Sequence, residues 1–88
     1  MPRFEEWAWY ADNIAHLWRH RVHAREVEEV CDGAPRVFQG REGLYVILGQ
    51  TEHGRYLSVV VRDLGHGRVR CVTARDMTEA ERRRYQRR

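Results

Sequence analysis

The hydrophobic period of this chain changes once, at Arg36, and that change limits the fold more than any other feature of the sequence. Before it, apolar residues recur at helical spacing. Over residues 12–20, Ile14, Leu17 and Trp18 stand at i, i+3 and i+4, with Asp12 placed to cap the first turn. A second helix is expected over Ala24–Asp32, with Val27 and Val30 inward, Glu26, Glu28 and Glu29 toward water, and Gly33 as terminator ahead of Pro35. From Arg36 the period shortens to that of strands, expected at residues 36–39, 44–48, 56–61 and 68–74. In the last of these, alternation puts Val69, Cys71 and Thr73 on one face and Arg68 and Arg70 on the other. The connectors at 52–55 and 63–67 are short and carry glycine, which makes the four strands an antiparallel meander. Thr78-Glu79-Ala80-Glu81 is a capping box, and a helix bearing Arg82, Arg83, Arg84, Tyr85, Arg87 and Arg88 is expected from Thr78 to the last residue. The expectation is one α+β domain over residues 1–88: two N-terminal helices, a four-stranded antiparallel meander sheet and a basic C-terminal helix.

Composition narrows the function classes. No run approaches the roughly 18 apolar residues of a membrane span, and residues 1–6 hold no apolar signal region, so no membrane is expected and the cytoplasm is the expected compartment. Cys31 and Cys71 are too sparse for a disulfide framework and read as free thiols. His16 and His20 share a helix face, and Cys31 or His23 could complete a tetrahedral zinc set, yet no paired-cysteine motif supports one; no metal and no cofactor are expected. Phosphate-cradling glycine loops, Ser-His-Asp sets and dinucleotide fingerprints are missing as recognisable spacings. All 16 basic residues are arginines, the formal net charge is +3, and each arginine offers a planar fork that can hold a phosphate. A GC-rich coding bias yields the same composition, so the charge alone is a weak pointer to an anionic partner.

Several segments carry a resemblance when taken together. They are Asn13-Ile14-x-x-Leu17-x-x-His20-x-Val22, the Glu26-Val27-Glu28-Glu29-Val30 helix, Gly54-Arg55-Tyr56-Leu57, and Val72-Thr73-Ala74-Arg75-Asp76-Met77-Thr78-x-x-Glu81-Arg82-x-x-Tyr85. In this order the chain resembles BrnT-like toxins across nearly its whole length. The resemblance implies a RelE-like fold, metal-independent cleavage of an RNA substrate, and a cognate BrnA-like ribbon-helix-helix antitoxin, through which alone promoter DNA is bound. Two positions depart from the family pattern: Leu44 and Gln50 stand where many relatives carry basic residues.

Metal-free RNA cleavage needs a base for the 2′-hydroxyl, an acid for the leaving 5′-oxygen, and fixed positive charge on the pentavalent phosphate. Arg75, between the last strand and the capped helix, is the expected phosphate stabiliser; its alternative is a surface pair with Asp76 or Glu81. Glu42, matching an acidic family position, and His20, after the first helix, are candidate base and acid; a solvated carboxylate and a helix-capping ring are the alternatives. Tyr85 is expected to stack on a base or donate to phosphate, or else to fill the core. Arg55, Arg70 and Arg82 are the expected RNA contacts. Trp7, Trp9 and Trp18 read as core anchors, with Trp7 and Trp9 on one face if the N-terminus forms a short strand.

Overall fold

Residues on either side of Arg36 build different layers. The computed structural model describes residues 4–87, and its elements run β1 Glu6–Trp7, α1 Ala11–Trp18, α2 Ala24–Asp32, β2 Arg36–Gln39, β3 Leu44–Gln50, β4 Tyr56–Gly65, β5 Arg68–Asp76 and α3 Glu79–Gln86. The chain is α+β, as the change of period implies. Strands β2 to β5 form the expected antiparallel meander, but the sheet is five-stranded and mixed, in the order β1-β5-β4-β3-β2. The added strand, β1, runs parallel to β5, with Glu6 beside Arg68 and Trp7 beside Val69. It is too short for periodicity to reveal. Backbone bonds hold it: the Glu5 and Glu6 amides donate to the Gly67 carbonyl at 2.7 and 3.0 Å, and the Ala8 amide to Val69 at 2.8 Å. Trp7 and Trp9 stack at 5.5 Å and pack against the core, and the Trp9 indole donates to Glu28 on α2.

One face of the sheet is closed. Ile47, Leu57, Val59, Val61, Val69, Cys71 and Ala74 meet Leu17, Val22, Val27 and Val30 in the main core. Each such aliphatic side chain taken fully from water contributes about 1.5–3 kcal/mol. Gly49 lets α2 approach closely, because a β-carbon there would lie 2.9 Å from Val30 Cγ1. The strict alternation expected for β5 fails in its middle. The register slips between Val60 and Val61, whose partners are Thr73 and Cys71, so Val72 is an extra residue. After this bulge Ala74, not Thr73, is the residue buried in the core, and Arg75 falls opposite Ser58.

Helix α1 also departs from expectation. Its buried positions are Asn13 and Leu17, while Ile14 is 46% and Trp18 49% exposed, so the expected stripe is turned half out of the core and Trp18 is no core anchor. Asn13 is the reason. Its Oδ1 accepts from the Tyr10 amide at 2.7 Å and its Nδ2 donates to the Ala8 and Cys71 carbonyls, which fixes α1 between β1 and β5. Tyr10, and not Asp12, takes the N-cap position. The helix ends through left-handed Arg21 (φ 56), with the Val22 amide returning to the Leu17 carbonyl and the Val22 side chain buried behind it. Helix α3 starts at its expected capping box, with Thr78 Oγ1 accepting from the Glu81 amide at 3.1 Å and the Glu81 carboxylate accepting from the Thr78 amide at 2.8 Å. It closes at Gln86; Arg87 is extended, and Arg88, expected in the helix, lies outside the described residues.

Candidate functional site

Strand pairing sorts the side chains of the sheet. Ile47, Val59 and Ala74 pair on the closed face, so their neighbours in the strands point the other way. That second face carries Arg36 and Phe38 of β2, Leu48 and Gln50 of β3, Tyr56, Ser58, Val60 and Arg62 of β4, and Arg70 and Arg75 of β5. Helix α3 crosses only one end of it. Tyr85 meets Tyr56 edge to face at 6.0 Å, Arg82 lies 4.0 Å over the Tyr56 ring, and Arg84 lies 3.7 Å over Phe38. Leu48 is buried on this side, outside the main core, yet no residue of α3 itself is buried.

Arg75 sits beneath the start of α3, and its fork is filled. Its Nη1 and Nη2 donate to the two Glu81 oxygens at 2.7 and 3.1 Å, and Nη1 also reaches the Asp76 carbonyl. The Arg75 guanidinium is the main cause that holds the Glu81 carboxyl below its ordinary range; burial opposes it, and the Thr78 amide adds to the lowering. Glu81 thus has two tasks, capping α3 and clamping Arg75. One helical turn later, Tyr85 stands on the same side of α3, and its hydroxyl has no hydrogen bond among the described residues.

The other expected site residues do not converge there. Glu42 is in the β2–β3 turn, exposed and left-handed at φ 53, and its carbonyl accepts from Arg62 at 2.8 Å. Leu44 pairs with Arg62 and Leu48 with Ser58, so the Glu42 turn lies beyond the strand position four residues from that of Arg75, on the order of 13 Å away. His20 follows α1 on the closed side, exposed, with its ring 5.9 Å from that of His16. The His16 ring is hydrogen-bonded to the Thr73 hydroxyl at 3.1 Å. The four expected catalytic residues therefore split three ways: Arg75 with Tyr85, Glu42 alone, and His20 alone.

Of the three expected RNA contacts, two are engaged elsewhere. Arg55 donates to Asp76 at 2.8 Å, to Glu26, and to the Arg21 and His20 carbonyls at the end of α1. It joins α1, α2 and β5, so its role is a brace rather than a free cation, and the Asp76 hydrogen bond leads the effects that raise its pKa. Arg70 pairs with Asp12 at 2.8 Å and lies over the Tyr10 ring. Arg82 alone of the three has no carboxylate partner among the described residues. It shares that state with Arg36 and Arg84 beside α3, with Arg62 at the far end of the face near Glu42, and with Arg19 and Arg21 at the end of α1; sequence reasoning counted Arg84 in the basic helix but missed Arg36 and Arg62. Arg62 was legible in principle, since the alternation of Val59 and Val61 with Val60 continues to it. Arg36 carries no such local mark.

Cys31 and Cys71 are free thiols, each pushed up to about 12, chiefly by burial, so both stay protonated near neutral pH and neither is a nucleophile there. No group of three or more His, Cys, Asp or Glu side chains among the described residues is placed to hold a metal ion. No helix of the described residues is long and apolar enough to cross a membrane. No family model matches the chain, and no curated protein sequence matches it.

Proposed function

We propose that this chain is an RNA-cleaving toxin of the BrnT-like type, and that the RNA lies on the α3 side of the sheet. One observation carries the reading. Arg55, Arg70 and Arg75 are spent on carboxylates, whereas Arg36, Arg82 and Arg84 gather around α3 without ion pairs among the described residues, beside Phe38 and Tyr56. Unpaired guanidinium groups next to aromatic rings suit a flexible anionic strand with exposed bases, which needs both phosphate contacts and stacking platforms.

Cleavage draws on Arg75, Glu81 and Tyr85. The Glu81 carboxylate, ionised at neutral pH, takes the proton of a 2′-hydroxyl, and that oxygen attacks the adjacent phosphorus. The Arg75 fork turns from Glu81 to two oxygens of the pentavalent phosphate, and the Tyr85 hydroxyl protonates the departing 5′-oxygen. The products are a 2′,3′-cyclic phosphate and a 5′-hydroxyl. No step calls for a metal or cofactor. Glu42, at the far end of the face, is then an RNA-flanking carboxylate, and His20 is outside the reaction.

The reading includes action in the cytoplasm and neutralisation by a BrnA-like ribbon-helix-helix antitoxin, whose acidic segment covers the unpaired arginines; promoter DNA is met only through that partner. A second reading, a non-catalytic member that binds RNA or a protein partner through the same face, is favoured by the full occupation of Arg75 by Glu81. Expression without the partner separates the two: growth arrest with RNA cut in EDTA supports the nuclease, and RNA bound but left whole supports the second reading. Cleavage lost in EDTA and restored by a divalent ion overturns the mechanism.

A further inference from the structure

Beside the unpaired arginines, a cleft of about 490 Å³ opens between the end of α3 and the strands, lined by Arg36, Gln50, Tyr56, Tyr85, Gln86 and Arg87. Its size is within the range of small-molecule sites. Resting on the RNA reading above, we infer that this cleft receives one base of the RNA and selects guanine.

The argument runs through the polar atoms left over. Gln50 Nε2 donates to the Gly54 carbonyl at 3.2 Å. A carbonyl only accepts, so the amide can sit only one way round, and its Oε1 remains as an acceptor. Gln86 Nε2 lies 3.4 Å from the Tyr56 hydroxyl, leaving a second amide oxygen without a partner among the described residues. Arg36 gives one Nη1 hydrogen to the Arg87 carbonyl, and its other guanidinium donors are free of any carboxylate. Arg82 already covers the Tyr56 ring, so Tyr85 is the ring left for a base to stack on. The cleft thus presents two acceptor oxygens, a forked donor and an aromatic surface.

Guanine is the base whose edges answer that set. Its N1–H and N2 amino group are donors for the glutamine oxygens, and its O6 and N7 are the acceptor pair that an arginine fork meets. Adenine and cytosine would bring an amino group to the donor where guanine brings a carbonyl. Uracil brings a single N–H. At Gln50 an arginine or lysine would supply only donors and lose this discrimination, which gives the neutral residue at that position a purpose.

The test is fluorescence anisotropy on 2′-O-methyl RNA octamers, which cannot be cut through the 2′-oxygen: one guanine, adenine or cytosine in a uridine background, and uridine alone. The expected result is about tenfold tighter binding of the guanine octamer, reduced severalfold when inosine removes the N2 amino group or 7-deazaguanine removes N7. These arms use the unaltered protein and do not depend on a variant folding. Gln50→Met with Gln86→Met should bring the four octamers to within about twofold of one another. Equal binding of all four octamers by the unaltered protein, or a guanine preference that survives both substitutions, overturns the cleft while leaving RNA binding intact. Failure to bind any octamer, uridine included, overturns both the cleft and the RNA reading beneath it.

Discussion

The two sides of the sheet use the same residue types for opposite ends. On the helix side, Arg55 is fixed by Asp76 and Glu26, and Val59, Val61 and Val69 are fully buried. On the α3 side, a helix with no buried residue rests on Tyr56 and Phe38, and most nearby arginines have only rings or backbone as neighbours. The difference teaches that basic composition is no guide to where an anion binds. What counts is which cations remain after the fold has used its carboxylates, because a paired guanidinium must lose one partner to gain another.

The largest effect should separate chemistry from scaffold. Arg75→Ala is expected to lower RNA cleavage by roughly 100-fold or more, equivalent to about 3 kcal/mol, with the melting temperature nearly unchanged. Arg75→Lys should rescue little, since an ammonium lacks the two-pronged geometry. A variant that melts early but cuts at the normal rate would make Arg75 a clamp for α3 and nothing more.

Arg55→Ala should give the reverse pattern. Four hydrogen-bond partners from three elements lose their donor, so urea unfolding is expected to show a loss of about 2 kcal/mol, while folded protein keeps its affinity for RNA. If affinity falls and stability holds, the division between the two sides is wrong.

A third measurement sharpens the division through salt. Replacing Arg36, Arg82 and Arg84 by Gln should flatten the dependence of log affinity on log salt by about 0.7 per phosphate contact removed, whereas Arg70→Gln should leave the slope where it was. Equal slopes for both proteins would place the anion surface elsewhere.

The smallest effect is a matter of pH. Glu81 is held below its ordinary value of 4.5, so the stability its ionised form contributes is complete above that pH and is lost as pH falls through the lowered value. Tyrosine fluorescence should report loosening of α3 in that acid window, worth under about 1 kcal/mol for so exposed a pair. Glu81→Gln should remove the acid step.

Much of the architecture was legible because it is written in neighbours three or four residues apart. The α2 valines, the meander and the Thr78–Glu81 capping box all follow from local spacing and turn chemistry, and all stand where expected. The α1 stripe did not follow, since Asn13 displaced Ile14 from the interior by satisfying backbone groups of Ala8, Tyr10 and Cys71 that no local pattern reveals. The site was legible in part. Arg75 and Tyr85 come together through α3, but the β5 bulge and the length of β4 decided what lies beside them.

By itself the sequence determined the order of elements from α1 to α3, the change of period at Arg36, the capped basic helix and the supply of arginines. The tertiary structure alone decided that β1 joins the sheet in parallel, that Ala74 replaces Thr73 in the core, and which guanidinium groups stay free. The physical reason is range. Helical and strand periods are set by backbone geometry within a few residues, whereas the pairs of Arg55 with Asp76 and Arg70 with Asp12 join residues 21 and 58 positions apart. Such pairs exist only once strand register has brought the two ends together.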